Sequence, residues 1–266
     1  MSKQEITLLD GNVWKKDQLL KKMDDDAFYY GHMGQYALSS SSLKKLLQSP
    51  KAYQKSLRIS ETGQALRDGR LIHMSILEKE KLSDLIIVDV ADKRSADFKQ
   101  AVKEYGEHNV YTSKELNNAY WVADAVEQNS EASYLLANCN YEVPEAGYFE
   151  DYDIPFRAKA DAITRRKDVI IDLKTTSSDI YDWRWSAKKY NYGLQAALYM
   201  ELFGVQEFIF LVVNKTTKDI GIFECSDAFI EKGREDIRRA LDVYVKYFNK
   251  PNTNELILNS VIRDIL

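Results

Sequence analysis

Apolar residues recur at helical spacing in Leu43-Lys44-Lys45-Leu46-Leu47, directly after the hydroxyl run Ser39 to Ser42. Those hydroxyls suit an N-cap, so the pattern predicts a helix opening there. Pro50 lacks an N–H and crowds the preceding turn, so the helix stops at it or a second one begins. Helical spacing returns over Gln64 to Lys79. It returns again over Ser113 to Asn138, where Leu116, Ala119, Ala123, Val126 and Leu136 mark one long helix. Leu85 to Asp89 reads as a strand. The period then shortens. Tyr141 to Glu150, Asp153 to Thr164 and Asp168 to Thr176 are rich in aromatic and β-branched residues, and Arg165-Arg166-Lys167-Asp168 reads as a hairpin turn, which predicts a three-stranded meander. Tyr190 to Phe203 is helical again and ends at Gly204. Strands follow over Glu207 to Asn214 and Ile220 to Cys225, then a long helix from Asp227 to about Phe248. The order predicts an α/β fold with a central mixed sheet flanked by helices.

The 266 residues show no repeat and scattered prolines, which favours one continuous domain over residues 37–250. Residues 1–36 form an N-terminal extension, and the apolar-rich tail 251–266 is a candidate oligomer contact. Lys plus Arg number 37 against 41 Asp plus Glu, a net charge of −4, so any nucleic-acid binding must rest on a local basic surface. The apolar run Phe208 to Val213 falls far short of the ~20 residues of a membrane span. Met1 to Thr7 lacks the apolar core of a secretory signal, so a cytoplasmic location without membrane contact is expected. Cys139 and Cys225 stand apart, which excludes zinc and iron–sulfur sites built from several thiolates.

Candidate chemistry concentrates in the meander. Residues two apart on a strand share a face, so Asp172 pairs with Lys174, and Arg157, Lys159 and Asp161 group together on the neighbouring strand. A hairpin about residues 165–168 brings Asp161 near Asp172. Two carboxylates on one face repel, and a divalent cation is their natural compensation. Lys174 would then stand beside the water that attacks a phosphate. Asp-x-Lys alternation is common on solvated faces, but Val169-Ile170-Ile171 marks this strand as buried, where such residues are unexpected. His73 lies inside an apolar helical stretch, either as a satisfied core residue or as a metal ligand. Gln195 and Tyr199 share a helix face.

The ordered set Gly69-x-x-x-His73, Asp161, Asp172-x-Lys174 and Gln195-x-x-x-Tyr199 resembles the PD-(D/E)XK nuclease superfamily in its RecB-like branch. It is most similar there to the RecE-type exonucleases (exodeoxyribonuclease VIII) of phage and prophage recombination systems. The resemblance spans roughly residues 37 to 204, from Leu38-Ser39 and Ser49-Pro50 through Ile72-His73 and Leu77-Glu78 to Tyr192 and Tyr199. It implies that His73, Asp161, Asp172 and the backbone carbonyl of Leu173 hold metal. Lys174 is then the catalytic lysine, while Gln195 and Tyr199 line the site and position the DNA strand. The proline of the superfamily name is replaced by Ala160, and Glu78 is expected to pack or pair structurally. Mg²⁺ is the expected cofactor, with one or two ions per site and Mn²⁺ as a substitute. Arg157 and Lys159 are candidates for gripping phosphates. Lys44, Lys45, Lys51, Lys55 and Arg58 form a second basic cluster, either a solvated face or a hold on the duplex. The resemblance further implies 5′ to 3′ degradation of linear duplex DNA, leaving 3′ single strands for an annealing protein, by a ring-shaped homo-oligomer. An endonuclease, a CRISPR- or helicase-associated nuclease, and an inactive DNA-binding module remain the alternatives.

Overall fold

The computed structural model describes residues 4–59 and 63–261. The chain opens with β1 (Glu5–Thr7) and β2 (Val13–Lys15), then α1 (Lys16–Met23), a π-helical turn over Phe28–His32 and α2 (Met33–Tyr36). Strands of three residues carry too little alternation to be read from sequence. Their apolar side chains, with Leu19, Met23, Tyr29 and Met33, form a cluster that closes over Ala146 of the central sheet.

The serine run behaves as predicted. Ser39 Oγ accepts the Ser42 N–H at 3.3 Å and opens α3 (Ser40–Gln48). Ser49 caps α4 (Pro50–Ser56), so Pro50 begins a helix, at the one turn where its missing N–H costs nothing. The helix predicted to Lys79, α5 (Gln64–Leu77), stops at Glu78 and gives way to a 3₁₀ turn, Lys79–Asp84. β3 (Ile86–Val88) follows, then α6 (Ala96–Tyr105) and β4 (Val110–Thr112), which pairs with β3 in parallel. The single helix predicted over 113–138 is two. The side chain of Asn129 accepts the Ala132 N–H and starts a new helix, separating α7 (Ser113–Gln128) from α8 (Ser130–Ala137).

The predicted meander is present as β5 (Cys139–Tyr148), β6 (Pro155–Thr164) and β7 (Val169–Thr176), all antiparallel. α9 (Trp183–Lys189) and α10 (Tyr192–Phe203) carry the chain across to β8 (Glu207–Asn214), parallel to β7. β9 (Ile220–Glu224) returns antiparallel, and α11 (Asp227–Tyr247) and α12 (Thr253–Leu258) follow. The result is a five-stranded mixed sheet in sequential order. One face packs Ala158, Ala160, Ile170 and Phe210 beneath α3, α10 and α11; the other packs Ala162, Ile171 and Leu211 beneath α5 and α7. Of the tail, α12 lies against the body through the buried Ile257, and residues 262–266 fall outside the described residues.

Two irregularities position the site. Ala160 faces one helical layer and Ala162 the other, so the alternation of β6 breaks at Asp161. The residue opposite, Glu142, has a φ of +51°, in the left-handed region. β6 and β7 are paired only at Ala162↔Ile171 and Ile163↔Ile170, and they part beyond Asp161.

Candidate active site

Asp172 is only 1% exposed, in the middle of a strand flanked on both edges. Both of its oxygens are engaged. Lys174, two residues along the same face, donates to Oδ2, and Gln195 of α10 donates to Oδ1 at 2.5 Å. Burial pushes the Asp172 carboxyl up, to about 6, against the pull of Lys174. Burial also works against the Lys174 ammonium, but Asp172 and Asp161 outweigh it and hold its pKa above the ordinary lysine value. Lys174 is therefore a cation here, suited to stabilising negative charge rather than to accepting a proton.

Asp161 reaches into the gap where β6 and β7 part. Its Oδ2 accepts the Leu173 N–H at 2.8 Å and lies 3.2 Å from His73 Nε2. Burial opposes its ionisation, yet His73, Lys174 and the Leu173 N–H hold its carboxyl below the usual carboxylate range. A strand residue's N–H and C=O point to the same edge, so the Leu173 carbonyl also faces this gap.

α5 brings His73 to the gap. It runs close to β7 at Gly69, where a Cβ would lie 3.5 Å from Thr175 Oγ1. His73 meets carboxylates on three sides. Glu142 Oε1 is 3.5 Å from its Nε2, and ligand atoms of His73, Glu78 and Glu142 all lie within 4.8 Å of one another. Burial disfavours the imidazolium, but Asp161, Glu142 and Glu78 together push the His73 pKa up to about 9. Burial likewise pushes Glu142 up, to about 7. Glu78 does pair structurally, with Lys81 at 2.5 Å, while also facing His73. Glu142 escaped the sequence reading: it lies on β5 between Tyr141 and Val143, which pair with Ala162 and Ala160 and so set it beside Asp161.

This donor set fits a divalent cation. Glu142 Oε1 is enclosed and has no hydrogen-bond partner among the described residues. An imidazole and further carboxylates surround it, a hard oxygen set with one nitrogen. His73, Glu78 and Glu142, with Asp161 Oδ2 3.2 Å from His73 Nε2, are the residues that could hold the ion, while both oxygens of Asp172 are engaged by Lys174 and Gln195.

The remaining predicted residues divide. Lys44 reaches the site: its Nζ stands 4.5 Å above the Tyr192 ring, and Lys174 Nζ lies 5.3 Å from the same ring. Burial and the nearby Lys174 lower the Lys44 pKa to about 7. Lys45 is half-buried on α3, and Lys51, Lys55 and Arg58 are exposed along and just beyond α4. Arg157 and Lys159 differ from expectation. Lys159 is 7% exposed and ion-paired to Asp26 at 2.6 Å, and the Arg157 guanidinium lies 4.5 Å from the Tyr29 ring. The N-terminal segment thus occupies the cations expected to grip phosphates. Tyr199 is 9% exposed and packs its ring on Phe203 and Phe208, and the Asp172 and Asp161 carboxylates act on its hydroxyl, so both residues of the pair adjoin the site, with Gln195 hydrogen-bonded to Asp172.

A family model described as a PDDEXK-like domain of unknown function (DUF3799) matches residues 39–254. The chain belongs to this family. Comparison with curated proteins gives no match. This PDDEXK-like protein shares its fold with a crystal structure from Eubacterium rectale provisionally named an exonuclease, at 15% identity and a TM-score of 0.62, over 91% of this chain and 95% of that one. An alkaline exonuclease from Laribacter hongkongensis aligns at 12% identity over 82% of this chain and 91% of its own, with a TM-score of 0.39. A phage-related exonuclease from Haemophilus somnus aligns at 13% identity over 64% and 93%, with a TM-score of 0.32. Among the described residues no helix is long and apolar enough to cross a membrane.

Proposed function

We propose that this PDDEXK-like protein is a metal-dependent exodeoxyribonuclease acting on the ends of linear duplex DNA. The observation that carries the reading is the convergence of Asp161, Asp172, Lys174 and His73 at the opening between β6 and β7, with both oxygens of Asp172 fixed. Mg²⁺, or Mn²⁺ in its place, would supply Lewis-acid chemistry and an activated water there. The protein's own residues do the rest. Asp161 is kept ionised by His73 and the Leu173 N–H, so it offers a charged ligand without a proton to lose near neutral pH. Gln195 holds Asp172 in one orientation from a separate helix, which limits the movement of the site when a phosphate arrives. Lys174 carries its charge toward the place where phosphate charge develops. Lys44, with its pKa lowered to about 7, gains a proton as the phosphate's negative charge approaches and adds a second cation.

The finer features follow the RecE-type resemblance: 5′ to 3′ polarity, 3′ overhangs handed to an annealing protein in recombination, and a ring-shaped homo-oligomer that encloses the duplex. The decisive experiment digests linear duplex labelled separately at its 5′ and 3′ ends, in Mg²⁺, beside Lys174→Ala and an EDTA control. Early release of 5′-labelled mononucleotides, lost in both controls, is expected. Cutting of closed circular DNA would make the protein an endonuclease, and binding without cleavage an inactive module.

A further inference from the structure

The segment joining β7 to α10 exposes more aromatic surface than a solvated turn needs. Tyr181 is 86% exposed, Trp185 58% and Tyr190 52%. Large exposed rings gathered in so short a stretch mark an interaction surface. Its cations are also free. Arg184 and Lys188 lie 5.3 and 5.2 Å from the Trp185 ring, and Lys189 5.5 Å from the Tyr190 ring. Among the described residues none of the three makes an ion pair. The segment's own carboxylates are Asp179 and Asp182, and Asp179 Oδ1 is taken by the Tyr181 N–H.

The rings are held, not merely exposed. Trp183, 3% exposed, stacks on Tyr192 at 5.3 Å and 21°, and packs against Phe210 and Phe223, which anchors α9 to the sheet. Asn191, at a φ of +50°, then turns the chain sharply into α10. Tyr190 lies 6.0 Å from Tyr192, whose ring is 5.3 Å from the Lys174 ammonium. An aromatic path therefore leads from the catalytic lysine to the surface.

We propose that Trp185 and Tyr190 form a stacking platform for the bases of single-stranded DNA, with Arg184, Lys188 and Lys189 on its phosphates. This rests on the nuclease reading of the adjoining site. Rings interleaved with unpaired cations match a strand whose bases are open on their faces and whose backbone is anionic. A duplex keeps its base faces stacked inside. A protein partner would have to desolvate three unpaired cations in the middle of the contact.

The test measures binding of a fluorescein-labelled oligo(dT) of about 12 nucleotides to the full chain in EDTA, beside a duplex of the same length. In parallel, hydrolysis of the nitrophenyl ester of thymidine 5′-phosphate, which carries a single base, is followed in Mg²⁺. Trp185→Ala and Tyr190→Ala should each weaken single-strand binding about tenfold, with Trp185→Phe restoring most of it. Duplex binding should change little, and so should ester hydrolysis in Trp185→Ala. Unchanged single-strand binding overturns the proposal, as does an equal loss on duplex, which would reduce the patch to general electrostatics. A self-association lost in Trp185→Ala with oligonucleotide binding intact assigns the surface to a protein contact and overturns it too. Should the wild type fail to hydrolyse either the ester or DNA while single-strand binding still depends on Trp185, the nuclease reading falls and the platform stands.

Discussion

His73 and Glu142 hold protons more tightly in the folded chain than in an unfolded one. Folding moves His73 from 6.5 to about 9 and Glu142 from 4.5 to about 7. Both shifts are upward, so the stability they contribute is complete below the unfolded values. It is lost as the pH rises through about 7 for Glu142 and about 9 for His73. Each is worth about 3 kcal/mol at full effect, and since the two share one cluster the contributions do not simply add. A divalent cation bound at this cluster would replace those protons and compete with them. Thermal unfolding should therefore show Mg²⁺ or Mn²⁺ raising the Tm little near about pH 5 and by several degrees near about pH 8. Glu142→Gln should remove much of that gain. Equal cation shifts at both pH values would sink the assignment of this cluster to a metal. The role proposed for Lys174 gives a separate prediction: Lys174→Ala should lower the cleavage rate about 10³-fold while duplex binding in EDTA changes little.

At the scale of elements, the geometry of the candidate site depends on how closely α10 approaches its neighbours. α10 delivers Gln195 to Asp172, and α11 presses on its first turn where Gly233 meets Gly193. A Cβ at position 233 would stand 2.1 Å from the Gly193 carbonyl oxygen, and one at 193 would stand 2.8 Å from that of Phe229. These contacts are with backbone, which cannot swing aside. Gly233→Ala should therefore cost about 3 kcal/mol or more and lower activity in the fraction that stays folded, because α10 must shift and carry Gln195 with it. Urea unfolding and cleavage rates measured on the same preparation check this, and an unaltered midpoint would refute it. The helices and strands that frame the site were legible because their spacing is a property of the chain: the serine caps, the β5–β7 meander and the Gly204 stop all appear where the pattern put them. Strand alternation and the 165–168 hairpin bring Asp161, Asp172 and Lys174 together, whereas His73 and Gln195 reach them from separate helices, a placement that the resemblance implied and spacing alone did not. What escaped the sequence was set by tertiary contact. The break of alternation at Asp161, the partnership of Glu142, and the occupation of Arg157 and Lys159 by tyrosines some 130 positions earlier leave no periodic trace.

At the scale of the whole molecule, the N-terminal segment is joined to the nuclease-like core through charge as well as apolar packing. Asp26 binds Lys159 on β6 at 2.6 Å and Lys81, just past α5, at 3.0 Å, so one carboxylate ties three parts of the chain together. Burial works against the Asp26 carboxylate, but the two lysines outweigh it and hold its pKa below the ordinary value. The downward shift means that this contribution is present above the unfolded value of 3.8 and is lost as the pH falls through the folded one. The asymmetry of exposure decides what removal does. Asp26 is 47% exposed, whereas Lys159 is 7% exposed, with the Tyr29 and Tyr30 rings at 4.7 and 5.9 Å and the Glu142 carboxylate near enough to act on it. Asp26→Ala therefore strands a buried ammonium, at a cost of about 2 kcal/mol, less than for a pair in which both partners are buried. Lys159→Met, which keeps the length of the side chain and discards the charge, should recover most of that loss in the Asp26→Ala background. Alone, it leaves only a half-exposed aspartate that still has Lys81, and should cost less than Asp26→Ala. Urea midpoints of the two single variants and the double variant complete the cycle. If the two losses simply add, Asp26 does not act through Lys159, and the segment is held to the sheet by its apolar cluster and its other polar contacts, such as Lys16 to Glu145 at 2.8 Å.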